Sequence, residues 1–162
     1  LFWYQTLSFV ISSFFSKLLI VGTGPLINFL KFKIKNLKLR DSVILYGWAK
    51  DPAEVTHLLN QSKVLVMPSY NEGGPRVVLE AMAAKLPGIA TRVGAVPEIS
   101  EDGKNGMLIE PARPEQIAAR IQELLNSEHL RQELGIQAHQ TVLFKFPLEK
   151  MLNQIERVIS NN

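Results

Sequence analysis

Two carboxylates, Glu72 and Glu80, bracket a glycine pair and a proline in the stretch Pro68-Ser-Tyr-Asn-Glu-Gly-Gly-Pro-Arg-Val-Val-Leu-Glu-Ala-Met-Ala83. Gly73 and Gly74 remove side chains where a strand passes into a helix, so a ligand can approach the backbone closely. Pro75 fits the first helical position and marks the helix start. The unpaired amides and positive dipole end at such a start form a ready site for phosphate. Glu80 lies roughly 7 Å along the helix axis from Pro75, at 1.5 Å per residue. The two carboxylates thus flank an anion site, and each can accept hydrogen bonds from hydroxyls. Hydroxyls at both ends with phosphates between is the layout of a sugar diphosphonucleoside. Plainer readings stand beside this one. Glu80 alone is most often a solvent-facing helix residue, and Glu72 alone a carboxylate favoured at a helix N-terminus. Arg76 is either a phosphate contact or half of a first-turn salt bridge.

The elements that must hold this stretch alternate along the chain. Lys17-Leu-Leu-Ile-Val-Gly22 is a short apolar run ending in glycine, suited to a buried parallel strand. Leu26, Phe29, Leu30, Ile34 and Leu37 follow at helical spacing. Val43-Ile-Leu-Tyr46 is a second strand closed by Gly47. A helix over residues 52–60 has Asp51 as N-cap and Pro52 at its first position. Strands at residues 64–67, 88–91 and 107–109 alternate with helices at residues 75–84 and 96–100. From Pro114 onward the pattern is helical, with a final helix after Pro147. In the first twenty residues, Leu7, Val10, Ile11, Phe14, Phe15 and Leu18 fall at steps of three and four, which predicts a helix packed on the sheet. This alternation argues for an α/β fold with a Rossmann-like parallel sheet and helices on both faces. Ligands of such sheets bind at the carboxyl ends of the strands. That rule singles out residues 22–24, 47–50, 68–74 and 91–98, including Gly22, Trp48, Gly94 and Glu98. Trp48, at a strand end, either walls the cleft or belongs to the core.

Bulk properties exclude several classes. The 162 residues fit one domain, with 46% hydrophobic residues. The absence of cysteine removes disulfides and thiolate metal sites. His57, His129 and His139 lack partners at metal spacing, so no metal is expected. A net charge of +3 is too small to argue for nucleic acid. It is unevenly spread, because Lys17, Lys31, Lys33, Lys35, Lys38, Arg40 and Lys50 face only Asp41 between positions 17 and 50. That face is either a solvated helix surface or a contact for phosphates or an anionic membrane. The apolar start carries too many polar residues for a membrane span.

The 68–83 stretch, with its pair of glutamates separated by seven intervening residues, resembles the donor-site motif of glycosyltransferase family 4, the group 1 retaining enzymes. The similarity continues through Ala90-Thr91, Gly94, Val96-Pro-Glu98, Asp102-Gly103, Asn105-Gly106 and Leu108-Ile109. Upstream it includes Leu18-Leu-Ile-Val-Gly22-Thr-Gly-Pro25 and Val43-Ile-Leu-Tyr-Gly-Trp48, so it covers roughly residues 17–145. The resemblance implies the C-terminal, donor-binding half of a GT-B fold, one nucleotide-sugar-binding domain over residues 1–162 that is truncated at its N-terminus. Glu72 would hydrogen-bond the donor sugar near the reacting carbon and Glu80 the ribose hydroxyls. Amides around Gly73, Gly74 and Pro75 would hold the diphosphate, with Arg76 beside them. Gly22, Trp48, Gly94 and Glu98 would border the donor.

The same resemblance implies a UDP- or GDP-sugar as donor substrate, no cofactor or metal, and a glycan or lipid-linked acceptor. It implies a cytoplasmic enzyme, with membrane-surface contact at the cytoplasmic face compatible with a lipid-linked acceptor, and an acceptor-binding N-terminal domain as partner. Three features depart from the family pattern. Gly73-Gly74 runs straight into Pro75, which implies a different contact to the sugar. Lys85 stands at a helix end where glycine is usual. The family's phosphate-binding arginine and lysine would precede Leu1. The alternatives are a nucleotide-sugar-binding module without transfer activity, or a dehydrogenase-type dinucleotide domain. Against the latter, Gly22-Thr-Gly24-Pro25 lacks the third glycine of that fingerprint.

Overall fold

The structure is a computed structural model that describes residues 8–12 and 17–147. Among the described residues six strands form one sheet: β1 (Ser8–Ser12), β2 (Leu18–Val21), β3 (Val43–Gly47), β4 (Ser62–Met67), β5 (Gly88–Thr91) and β6 (Met107–Ile109). The helices are α1 (Ile27–Asn36), α2 (Pro52–Asn60), α3 (Arg76–Ala83), α4 (Val96–Ile99), α5 (Pro114–Asn126) and α6 (Glu128–Lys145). Strand order is β3-β2-β1-β4-β5-β6, the doubly wound order in which the direction of winding reverses between β1 and β4.

β2 with β3, and β4 with β5 and β6, pair in parallel. The fold is therefore Rossmann-like, with one reversal. β1 runs antiparallel to both β2 and β4, with Val10 opposite Leu19 on one side and Leu65 on the other. This corrects the helix expected in the first twenty residues. Phe9-Val-Ile11 is a short apolar run, which periodicity alone cannot divide between helix and strand. Only residues 13–17 separate β1 from β2. A parallel crossover takes a dozen residues or more, so the short connection dictates an antiparallel pair. The strand also satisfies the backbone edges that β2 and β4 would otherwise leave unpaired. The remaining positions of the expected helix, among them Leu7, Phe14 and Phe15, lie outside the described residues, as do residues 148–162 of the expected final helix.

Period-two alternation sends the strands' side chains into two cores. Leu65, Met67, Ala90 and Leu108 pack with Leu59, Val78, Met82 and Val96 beneath α2, α3 and α4. Val64, Val66, Ile89, Met107 and Ile109 pack with Leu124 and Leu134 beneath α5 and the first half of α6. β4 is buried on both faces, as parallel-sheet interiors are. Asp51 caps α2 as expected, its Oδ1 accepting from the Glu54 amide at 2.8 Å. Asn105 is buried and ties the turn before β6 to the Ile99 carbonyl and the Thr141 hydroxyl of α6.

The end of α3 is closed by a Schellman motif. The Leu86 amide donates to Ala81 and the Lys85 amide to Met82, with Lys85 left-handed at φ 57°. α6 seats against this cap. His139 Nδ1 lies 2.8 Å from the Ala83 carbonyl, and Gly135 lies so close to Lys85 that a Cβ there would overlap its carbonyl oxygen. A left-handed lysine carries steric strain that glycine does not. Lys85→Gly is expected to raise stability by roughly 0.5–1 kcal/mol in denaturant unfolding, and Gly135→Ala to lower it.

Candidate functional site

The four strand-end loops named from the sequence converge on α3. Met67 ends β4, Pro68 breaks the ladder, and the chain crosses to the helix through Glu72, Gly73 and Gly74. Ser69 is buried, and its hydroxyl donates to Glu72 Oε1 at 2.7 Å, which orients the half-buried carboxylate. The Glu72 carbonyl accepts from the Ala95 amide at 3.2 Å. Gly94, at φ +51°, packs directly on that carbonyl, and any Cβ at 94 would overlap it. Gly94 is thus required by backbone contact. It fixes the β5–α4 turn against the Glu72 loop.

Pro75 is the N-cap of α3 rather than its first residue, because its ψ of 68° is not helical. The Arg76 amide turns back to the Gly74 carbonyl at 2.8 Å. The first-turn donor left without a backbone partner among the described residues is therefore that of Val77. With the amides of Gly73 and Gly74 before it, this gives a small set of N–H groups at the positive end of a helix.

A cavity of about 540 Å³ lies alongside. Gly22 at the end of β2, Trp48 after β3, and Arg76 and Glu80 on α3 all line it. Its floor is apolar, from Val55, Leu58, Leu65 and Val77, and its rim carries Lys50 and Asp51. Trp48 is 66% exposed, so it walls the cleft and is not core. Among the described residues Arg76 forms no ion pair, which removes the first-turn salt bridge as an explanation for it. Glu80 is exposed at the cavity, and its carboxylate has no hydrogen-bond partner among the described residues. Glu72, Gly73, Gly74, Pro75, Gly94 and Glu98 do not line this cavity. Glu72 to Pro75 lead into the same helix start from the β4 side, Gly94 abuts Glu72, and Glu98 is exposed on α4. The apolar floor was not foreseen from the sequence, and Lys50 was included there only as the end of the 47–50 loop. The signal was present, since Val55, Leu58 and Leu59 repeat at helical spacing directly after a strand-end loop.

The arrangement is that of an α/β domain with a helix start that presents amide groups and an adjoining apolar pocket, both at the carboxyl ends of its strands. Residues 16–141 match the family profile described as glycosyl transferases group 1, and the chain belongs to that family. It is 34% identical over 154 residues to N-acetyl-alpha-D-glucosaminyl L-malate synthase of Bacillus anthracis, covering 95% of this chain and 40% of that protein. Among solved structures it is similar to the C-terminal domain of LpcC, a group 1 glycosyl transferase of Francisella tularensis. There the TM-score is 0.71 at 32% identity, over 78% of this chain and 66% of that one. It is also similar to a TarM variant of S. aureus in complex with fondaparinux, alpha-GlcNAc-glycerol and UDP, with a TM-score of 0.78 at 28% identity, over 86% of this chain and 28% of that one. The fold is the C-terminal half of a GT-B glycosyltransferase, and the chain spans about 40% of the length of its B. anthracis relative.

Gly103 offers an internal control for Gly94. It too has a positive φ, of 73°, but a Cβ there would meet nothing within 4 Å. Gly103→Ala is expected to cost about 1 kcal/mol from backbone strain alone, whereas Gly94→Ala should cost about 2 kcal/mol or more and shift the amide resonances of residues 69–74. Equal costs with unmoved resonances would refute the contact's role.

Proposed function

We propose that the chain is the donor-binding domain of a retaining, metal-independent hexosyltransferase that uses a UDP- or GDP-sugar, with a glycan or lipid-linked acceptor. The observation that carries this reading is the placement of Glu80 and Arg76 on one helix, facing a nucleoside-sized apolar cavity, while Glu72 approaches the same helix start from the other side. The ribose hydroxyls donate to Glu80, the base occupies the apolar floor, and the diphosphate meets the amides of Gly73, Gly74 and Val77 with Arg76 beside them. Glu72, held by Ser69, accepts from the sugar hydroxyls.

In transfer, the bond from the anomeric carbon to the diphosphate breaks as the acceptor oxygen bonds to the same face. The acceptor's proton passes to the departing phosphate oxygen. Helix-end amides and Arg76 stabilise the charge that develops there. Transfer itself is proposed for the whole protein, which supplies the acceptor side. Its membrane-surface contact is proposed at α1, where Lys31, Lys33 and Lys35 surround the exposed Phe29 and Phe32. No helix among the described residues is long and apolar enough to cross a membrane.

Calorimetry of the full chain with UDP, UDP-glucose, UDP-N-acetylglucosamine and GDP-mannose tests the donor site. Glu80→Ala should weaken binding of the nucleotide and its sugar conjugates alike. Glu72→Ala should remove only the increment due to the sugar. Strong binding of NAD with no heat from any nucleotide sugar would sink the reading. For α1, sedimentation with phosphatidylglycerol vesicles should exceed that with neutral vesicles, fall with added salt, and be lost in Phe29→Ser/Phe32→Ser. Equal sedimentation with both lipids would remove the contact.

A further inference from the structure

The loop between β3 and α2 forms one wall of the cavity, yet its own side chains do little to hold it. Gly47 is left-handed at φ +82° with open space around it, and Trp48 is largely exposed. One carboxylate outside the cavity lining closes the loop at both ends. Glu54 Oε1 accepts from the Tyr46 hydroxyl at 2.7 Å, and Oε2 accepts from the Lys50 amide at 2.5 Å. Its own amide donates to Asp51 Oδ1. In an ordinary capping box the glutamate of the first turn returns to the N-cap amide. Here it reaches one residue further, into the loop, and its second oxygen holds the end of the preceding strand. Helix capping needs only Asp51; the bond to Tyr46 adds nothing to the helix. Among the described residues, the remaining backbone anchor of this loop is the Gly22 amide, which donates to the Gly47 carbonyl at 2.7 Å.

We infer that Glu54 is a positioning residue for the nucleoside part of the donor: it touches no ligand, and it fixes Trp48, Ala49 and Lys50 as the wall that faces Glu80 and Arg76. The inference rests on the reading of the cavity as the nucleoside site. The ionised carboxylate is the form that both bonds favour. The Lys50 amide, then the Tyr46 hydroxyl, hold the Glu54 carboxyl below its usual range, with smaller help from the charges of Lys50 and His57. Glu54 in turn raises the Tyr46 phenol.

The full chain is titrated with UDP and with UDP-glucose as wild type, Glu54→Ala, Glu54→Gln and Tyr46→Phe. Each is made in a Trp3→Phe background, so that Trp48 is the sole tryptophan. Glu54→Ala is expected to weaken both ligands by the same factor, about tenfold, the scale of one charge-assisted hydrogen bond. The fluorescence anisotropy of Trp48 should fall with it. Glu54→Gln, which keeps an acceptor oxygen at the same reach, should restore binding to within about threefold, and Tyr46→Phe should lie between. Wild-type affinity and anisotropy in Glu54→Ala would overturn the inference and leave the donor site standing. A wild-type chain that binds neither ligand would overturn the nucleoside reading and the inference together. If Glu54→Ala fails to fold, Tyr46→Phe decides: unchanged affinity and anisotropy there would overturn it.

Discussion

Val64, Leu65, Val66 and Met67 are each 2% exposed or less, and the loop that carries Glu72 hangs from the end of the strand they form. Alternate residues of β4 enter opposite cores, so the strand is pinned from both faces and cannot shift register without exposing one set of side chains. Pro68, which has no amide to donate, then ends the ladder. Beyond it, buried Ser69 holds the Glu72 carboxylate, the Thr91 hydroxyl holds the Met67 carbonyl, and Gly94 rests on the Glu72 backbone. Each contact transmits the rigidity of β4 to a loop that would otherwise be free. Preorganisation of this kind spares binding the cost of ordering the loop.

Two kinds of surface meet at α3. On one side lies the apolar cavity, with Glu80 and Arg76 at its edge. On the other lie the glycine pair and Glu72. The helix start between them is polar by geometry, since its first amides have no carbonyl four residues back to receive them. A ligand with an apolar ring at one end, a charged middle and a hydroxylated far end matches that sequence of surfaces. The doubly wound strand order places all of it beside the point where the winding reverses. The antiparallel β1 at that point leaves the arrangement intact, because the loops used are those of β2, β3, β4 and β5.

Where local chemistry decides an element, the sequence was readable. Asp51-Pro52 set the start of α2, and Gly88 to Thr91 formed β5 with the expected ends. The errors arose where a tertiary neighbour decides. Phe9-Val-Ile11 fits either period, and only the vacant slot between β2 and β4 makes it a strand. Pro75 fell one position outside the helix, because Gly74 accepts the first turn's opening hydrogen bond. Lys85 is not among these errors: it stands where the sequence placed it, at a helix end usually given to glycine, and takes the left-handed conformation with the Schellman bonds around it. Glu54 carried no motif at all. Its second oxygen finds Tyr46 across eight residues of chain, a contact visible only once β3 and α2 are side by side.

The central claim is that the ends of β3 and β4 and the start of α3 make one donor site. An amide-resolved nuclear magnetic resonance titration of the full chain with UDP tests it most directly. Shifts concentrated at Gly73, Gly74, Val77 and residues 48–50, with α5 unmoved, are the predicted result. Saturable binding that shifts amides elsewhere and leaves Gly73, Gly74 and Val77 unchanged would contradict the account.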